Sequence, residues 1–148
     1  MKTKEEFFHF EKEKQKIFND FYKKNNWGVK RITGKENKNY DCLIRKDGIW
    51  YKIEEKYRSN NWKDLAVETI QDIKTNSPGW LYYTKAQYLF YGMDEIIYAI
   101  DIEKLRNFIK NNSEKFDTFI SEKGWGITKN IIIPWYTIID NKIGKRIK

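Results

Sequence analysis

Phe7, Phe10, Ile17, Phe18 and Phe21 recur at helical spacing between lysines and glutamates, which predicts an amphipathic helix over 3–24. Thr3 followed by Glu6 is a capping-box pattern at its start, and Asn25, Asn26 and Gly28 supply stop signals. The period then shortens. Trp27, Val29 and Ile32 predict a first strand, closed by the polar run 34–39. Residues 40–46 and 49–57 are two strand-like runs separated by Asp47-Gly48. Asp-Gly at that place predicts a hairpin with a type I′ turn, which needs positive φ at both central residues. A polar loop follows over 58–64. Over 65–73, Leu65, Val67 and Thr69 alternate as in a strand while Leu65, Thr69 and Ile73 also fit a helix face; the strand is favoured.

Ser77-Pro-Gly79 ends that run, and 79–86 fits a short helix. Runs 87–91 and 95–100, on either side of Gly92-Met-Asp94, predict a second hairpin. Asp101 is placed to cap a helix carrying Ile102, Leu105, Phe108 and Ile109 on one face. A further helix is expected over 113–123, and a last strand over 130–139, broken by Pro134, before a basic tail from about 141. No repeat, linker or low-complexity block interrupts the chain. The pattern is that of one α/β domain over 1–148, a mixed sheet flanked by helices.

Charge sharpens the picture. Lys and Arg number 29 against 21 Asp and Glu, leaving +8, an excess that points to a polyanionic partner. With 40% hydrophobic and 17% aromatic residues, the chain is too apolar for a disordered one, and at 148 residues it can bury a real core. No apolar run approaches the ~18 residues of a spanning helix, so no membrane partner is expected. The opening Met-Lys-Thr-Lys-Glu-Glu lacks the apolar stretch of a secretory leader. A lone cysteine, Cys42, fits a reducing compartment, so the expected location is cytoplasmic.

In the first hairpin, Lys52, Glu54 and Lys56 share one strand face and Ile53 and Glu55 the other. Pairing about Asp47-Gly48 joins positions whose numbers sum to about 95, which sets Asp41 opposite Glu54. Two acids so placed repel unless something positive sits between them. A divalent cation is the natural occupant, since Mg²⁺ takes one or two protein carboxylates and fills its other positions with water and phosphate oxygens. Lys56 lies one pleat along, where an ammonium can stabilise charge developing at phosphorus. The plainer alternative is a solvated strand face. An acid two residues before a lysine also occurs as Glu36/Lys38, Asp72/Lys74 and Asp140/Lys142, but only Glu54/Lys56 lies in a clear strand with an acid on its hairpin partner.

Asp41, then Glu54-Glu55-Lys56 on the next strand, preceded by a helix, resembles the PD-(D/E)XK nuclease superfamily. Its core is the restriction-endonuclease-like mixed β-sheet flanked by helices. The stretch 77–91, with Gly79, Thr84-Lys85-Ala86 and Tyr91, is similar to phage-type and Holliday junction resolvase-like members; the resemblance spans about 5–110. It implies that Asp41, Glu54 and the Glu55 backbone carbonyl hold Mg²⁺, with Mn²⁺ as substitute, and that Lys56 is the catalytic lysine. Members often add a glutamate from the first helix: Glu13 is the best match and Glu6 the runner-up. Glu68 matches an accessory acid of the phage-type members. Gln87 departs from the pattern, standing where relatives often carry aspartate. The implied activity is Mg²⁺-dependent DNA endonuclease, resolvase-like or restriction-like, with homodimers common among small relatives.

Arg58, Lys63, Lys85, Lys52 and Arg45 are candidates for phosphate contacts, and Trp62, beside Asn60-Asn61, for stacking on a base. Each alone reads first as a solvated surface residue, and His9 as structural or exposed. Trp80, Tyr82, Tyr83 and Tyr88 read as packing. Cys42 alternates away from Asp41 and has no histidine partner to make it a nucleophile. Two other classes carry the same charge pattern: a non-catalytic nucleic-acid-binding module and an inhibitor-like protein-interaction module.

Overall fold

The computed structural model describes residues 3–35, 39–60 and 62–148; Glu36, Lys38 and Asn61 lie outside them. Helix α1 runs Lys4–Lys24 behind a complete capping box. The Thr3 hydroxyl accepts the Glu6 N–H at 3.1 Å, and the Glu6 carboxylate accepts the Thr3 N–H at 2.9 Å. Acids in its first turn and lysines in its last complement the helix dipole. Only the second half of α1 is buried, through Phe18, Phe21 and Tyr22, while Phe7 and Phe8 are exposed.

Strands β1 (Gly28–Arg31), β2 (Cys42–Lys46) and β3 (Ile49–Arg58) follow as a meander. Asp47 and Gly48 take φ of 52° and 79°, as the turn requires. The register runs from Cys42 opposite Ile53 to Lys46 opposite Ile49, the pairing expected from the sequence. Next come β4 (Asp64–Asp72), β5 (Ser77–Pro78), the short α2 (Trp80–Tyr83), β6 (Tyr88–Met93) and β7 (Ile96–Asp101). Helix α3 (Ile102–Asn112) starts with the Asp101 carboxylate accepting the Lys104 N–H at 3.0 Å. The chain closes with β8 (Thr118–Lys123), β9 (Gly126–Pro134), α4 (Trp135–Asp140) and β10 (Gly144–Arg146).

Among the described residues these strands form two sheets, one six-stranded in the order β1-β2-β3-β6-β7-β10 and one four-stranded in the order β5-β4-β9-β8. The larger sheet is mixed: β3 and β6 are parallel and every other pair is antiparallel. Alternation along β3 and β6 sends Ile53 and Phe90 towards Phe18, Phe21 and Tyr22 of α1. It sends Leu89, Tyr91 and Met93 towards a second core shared with Leu65, Val67, Ile131, Leu81 and Leu105. No helix among the described residues is long and apolar enough to cross a membrane.

The mixed α/β architecture is the one expected, with several local corrections. Residues 118–123 are not helical; after a 3₁₀ turn at Ser113–Lys115 they form β8, because Thr118 to Lys123 pair in full with Ile131 to Gly126. The strand expected over 130–139 starts earlier and stops at Pro134, which has no N–H for a ladder. Trp135 and Ile138, three apart and both buried, then form one face of α4. Within the basic tail, Gly144–Arg146 form a strand paired with β7. The turn between β6 and β7 centres on Asp94 (φ 52°), so Gly92 lies inside β6. A Cβ there would meet the rings of Tyr57 at 3.0 Å and Phe18 at 3.3 Å.

Gly79 controls how the β3-to-β6 crossover sits. Its N–H bonds the Thr69 carbonyl at 2.9 Å, and a Cβ there would lie 2.3 Å from the Glu68 carbonyl oxygen. Only glycine lets α2 press on β4 this closely. Gly79→Ala is expected to lower stability by about 3 kcal/mol, at the upper end of overpacking costs. A urea midpoint unchanged from wild type would show that the contact does not matter.

Candidate active site

Asp41 stands one residue before β2, where the ladder departs from the simple register. Its N–H donates to the Ile53 carbonyl at 2.9 Å, and its carboxylate accepts the Glu55 N–H at 2.7 Å. A side-chain oxygen thus does the work of a strand carbonyl and ties Asp41 to the peptide joining Glu54 and Glu55. Upstream, the Asn39 carbonyl accepts both the Thr84 hydroxyl at 3.0 Å and the Lys85 N–H at 2.8 Å. Thr84 also accepts the Ala86 N–H at 3.2 Å. The segment Thr84-Lys85-Ala86 therefore holds the approach to Asp41. Gln87 is structural: it donates its N–H to the Lys52 carbonyl and accepts the Lys52 N–H on its side chain, both at 2.9 Å.

Glu54 and Glu55 project to opposite faces of β3. Glu54 is 8% exposed, with Lys56 Nζ 3.6 Å from its Oε1 and 5.5 Å from the Trp80 ring centre. Burial first, and the Asp41 carboxylate second, push Glu54 up to about 7 against the opposing pull of Lys56 and Lys14. Burial, then Glu54, Glu68 and Asp41, raise the Tyr83 phenol, so Tyr83 lies within electrostatic reach of the acids. Arg106 of α3 anchors α2 under it by donating to the Leu81 and Thr84 carbonyls at 2.6 and 2.7 Å. No sequence pattern separates Tyr83 from the packing aromatics beside it; only the crossover brings it to the acids.

Glu55 faces α1 and is 1% exposed. Its carboxylate accepts Tyr22 Oη and Arg31 Nη1, and Arg31 also donates to Asn19 Oδ1. The Cys42 thiol lies 3.7 Å from the same carboxylate, and burial, followed by Glu55, pushes it far up, which leaves it inert as a nucleophile.

The stripe of α1 nearest Asp41 carries Glu11, Lys14 and Gln15. With Arg31, Asp41 and Glu55 they line a cleft of about 270 Å³. Glu13 is exposed and lies where it acts on Tyr57, and Glu6 is engaged in the capping box. Among the described residues no three acids, histidines or cysteines gather closely enough to hold an ion, so neither Glu13 nor Glu68 completes such a cluster with Asp41 and Glu54. Glu11 is the α1 acid that shares this cleft with Asp41.

The basic candidates flank β3. Lys52 sits 5.6 Å from the Tyr40 ring, beside Asp41. Arg58, at the other end, stacks 5.0 Å over Trp62, which is half-exposed. Lys63 and Lys85 are exposed, and Arg45 lies 6.0 Å over the Trp50 ring, away on β2. His9 is exposed on α1.

A carboxyl raised from 4.5 to about 7 binds protons more tightly folded than unfolded. Its contribution to stability is therefore full below about 4.5 and is lost as pH rises through about 7. Glu54→Gln removes this dependence. The variant is expected to gain on wild type, in metal-free buffer, between about pH 5 and pH 8 by a few kcal/mol at most. Melting curves whose separation stays constant across that range would refute the assignment of Glu54.

No family model matches the chain, and no curated protein matches it. Among solved structures it is similar to a bacterial homing endonuclease, I-Ssp6803I, with 18% identity and a TM-score of 0.43. The superposition covers 62% of this chain and 62% of that one, so the chain spans less than two thirds of that protein's length.

Proposed function

We propose that this chain is a metal-dependent DNA endonuclease of the PD-(D/E)XK type, working in the cytoplasm. One observation carries the reading. Asp41, fixed on the Glu55 N–H, couples to a buried Glu54 whose proton affinity it raises, with the Lys56 ammonium alongside. A buried carboxyl held at the edge of ionisation by a second one is a place prepared for positive charge. The donors are hard oxygens, which suits Mg²⁺ or Mn²⁺, and two carboxylates suffice for Mg²⁺.

Asp41, Glu54 and the Glu55 carbonyl would hold the ion, which when bound supplies Lewis-acid neutralisation of phosphate charge. Lys56, supported on Trp80, stabilises the extra negative charge on the phosphate oxygens as water attacks phosphorus and the P–O3′ bond breaks. The products are a 5′-phosphate and a 3′-hydroxyl. Tyr83, whose phenol feels both acids, is exposed and free to donate to a phosphate oxygen, and Glu11, which shares a cleft with Asp41, stays outside the ion's own ligands. Lys52, Lys85 and Arg58 contact flanking phosphates, and Trp62, stacked under Arg58, offers its ring to a base.

The test is incubation with supercoiled, linear and branched DNA in Mg²⁺, Mn²⁺ or EDTA. Nicking that requires the metal is expected. A salt-sensitive gel shift with no product in any metal would replace the enzyme with a binding module. Neither nicking nor a shift, with stoichiometric recovery of a protein partner, would favour an inhibitor-like module.

A further inference from the structure

Helix α1 turns a lysine towards the candidate site. Phe18 and Tyr22 fix the buried face of the helix, and Lys14 stands one turn back from Phe18 on the same stripe. A lysine on a helix ordinarily lays its stem on apolar surface and keeps its ammonium in water. The Lys14 side chain is only 14% exposed, more enclosed than that of Lys56 at 37%. It lines the cleft that holds Asp41, and its charge is felt by Glu54. Both acids of the constellation are therefore within its reach. The ion pair with Glu11, at 3.7 Å, does not account for this placement, because a pair between helix neighbours forms as readily with both side chains in solvent.

Charge arithmetic gives the lysine a task. Asp41 and Glu54 together offset one divalent ion. A phosphodiester carries one negative charge and gathers more on its non-bridging oxygens as water attacks. Lys56 meets part of that demand and leaves the rest. We propose that Lys14 is a second catalytic lysine, contributed by α1, that donates to a non-bridging oxygen of the scissile phosphate and stands where a two-ion site would place its second metal. The proposal rests on the nuclease reading. Its action is electrostatic, with no proton transferred. Lys56 comes from β3 over Trp80 and Lys14 from α1, so two separate elements supply cations to one phosphate.

Lys14→Met and Lys14→Arg in the full chain test it. Both replacements are good helix formers, and circular dichroism melts confirm that both variants are folded. At saturating Mg²⁺, Lys14→Met is expected to lower kcat for DNA cleavage by at least about 10²-fold. Its KM should stay within about threefold of wild type, the mark of an interaction made in the transition state. Lys14→Arg keeps the charge and should recover kcat to within about tenfold of wild type. Mn²⁺ titration followed by electron paramagnetic resonance, without DNA, reads the site apart from activity. One ion per chain is expected in wild type, bound at least about threefold more tightly in Lys14→Met, where a like charge has left. Wild-type cleavage rates in Lys14→Met would overturn the role of Lys14 and leave the nuclease reading standing. So would two ions per wild-type chain, or a Mn²⁺ affinity that Lys14→Met does not change. A wild type that cuts no DNA in any metal would remove both readings together.

Discussion

Asp41→Asn, Glu54→Gln and Lys56→Met are each expected to reduce Mg²⁺-dependent DNA cleavage by at least about 10²–10³-fold, the scale on which loss of one transition-state-stabilising group registers. The three replacements are chosen to keep the fold. Asparagine still offers Oδ1 to the Glu55 N–H that Asp41 accepts at 2.7 Å. Glutamine retains the shape of Glu54 while removing a charge that burial and Asp41 already disfavour. Methionine keeps the stem of Lys56 near Trp80 and loses only the ammonium. Gel shifts in EDTA should stay close to wild type, which separates lost chemistry from lost DNA binding. Mg²⁺-dependent activity retained in any of the three would remove that residue from the site, and retention in all three would end the nuclease reading.

The largest effect on stability is expected at the opposite face of the same strand. Arg31→Met leaves the Glu55 carboxylate, 1% exposed, with Tyr22 but without its cation. Breaking a buried pair from one side costs about 3–5 kcal/mol. The double variant Arg31→Met/Glu55→Met removes both charges and should recover much of that loss, because apolar replacements fill the space without an orphaned charge. Urea unfolding of the two singles and the double forms a complete cycle. A single Arg31→Met cost below about 1 kcal/mol would mean that solvent screens the pair despite the burial of Glu55.

Local chemistry made much of the fold legible. The capping box at Thr3, the Asp47-Gly48 turn, the register of β2 on β3 and the Asp101 cap each depend on residues close in sequence, and each lies where expected. The opposed faces of β3 were equally readable, since alternation needs no knowledge of the rest of the chain. What failed depends on distant partners. Residues 118–123 pair with a strand that the spacing of 113–123 does not reveal. On α1, Phe10 and Ile17 drew the apolar stripe towards Glu13, yet only Phe18, Phe21 and Tyr22 of the described helix residues are buried. The buried half is set by Phe18 and Tyr22, and seven residues back from Phe18 is Glu11. Tyr83 joins the acids only because Gly79 seats α2 hard against β4.

The two bonds that the Asn39 carbonyl accepts from Thr84 and Lys85 have a mechanical consequence. They splice the short helix bearing Tyr83 to the loop bearing Asp41, so the two travel as a single lever. A load placed on the helix shifts the aspartate without touching it, and slack at Thr84 would loosen the whole site from a distance.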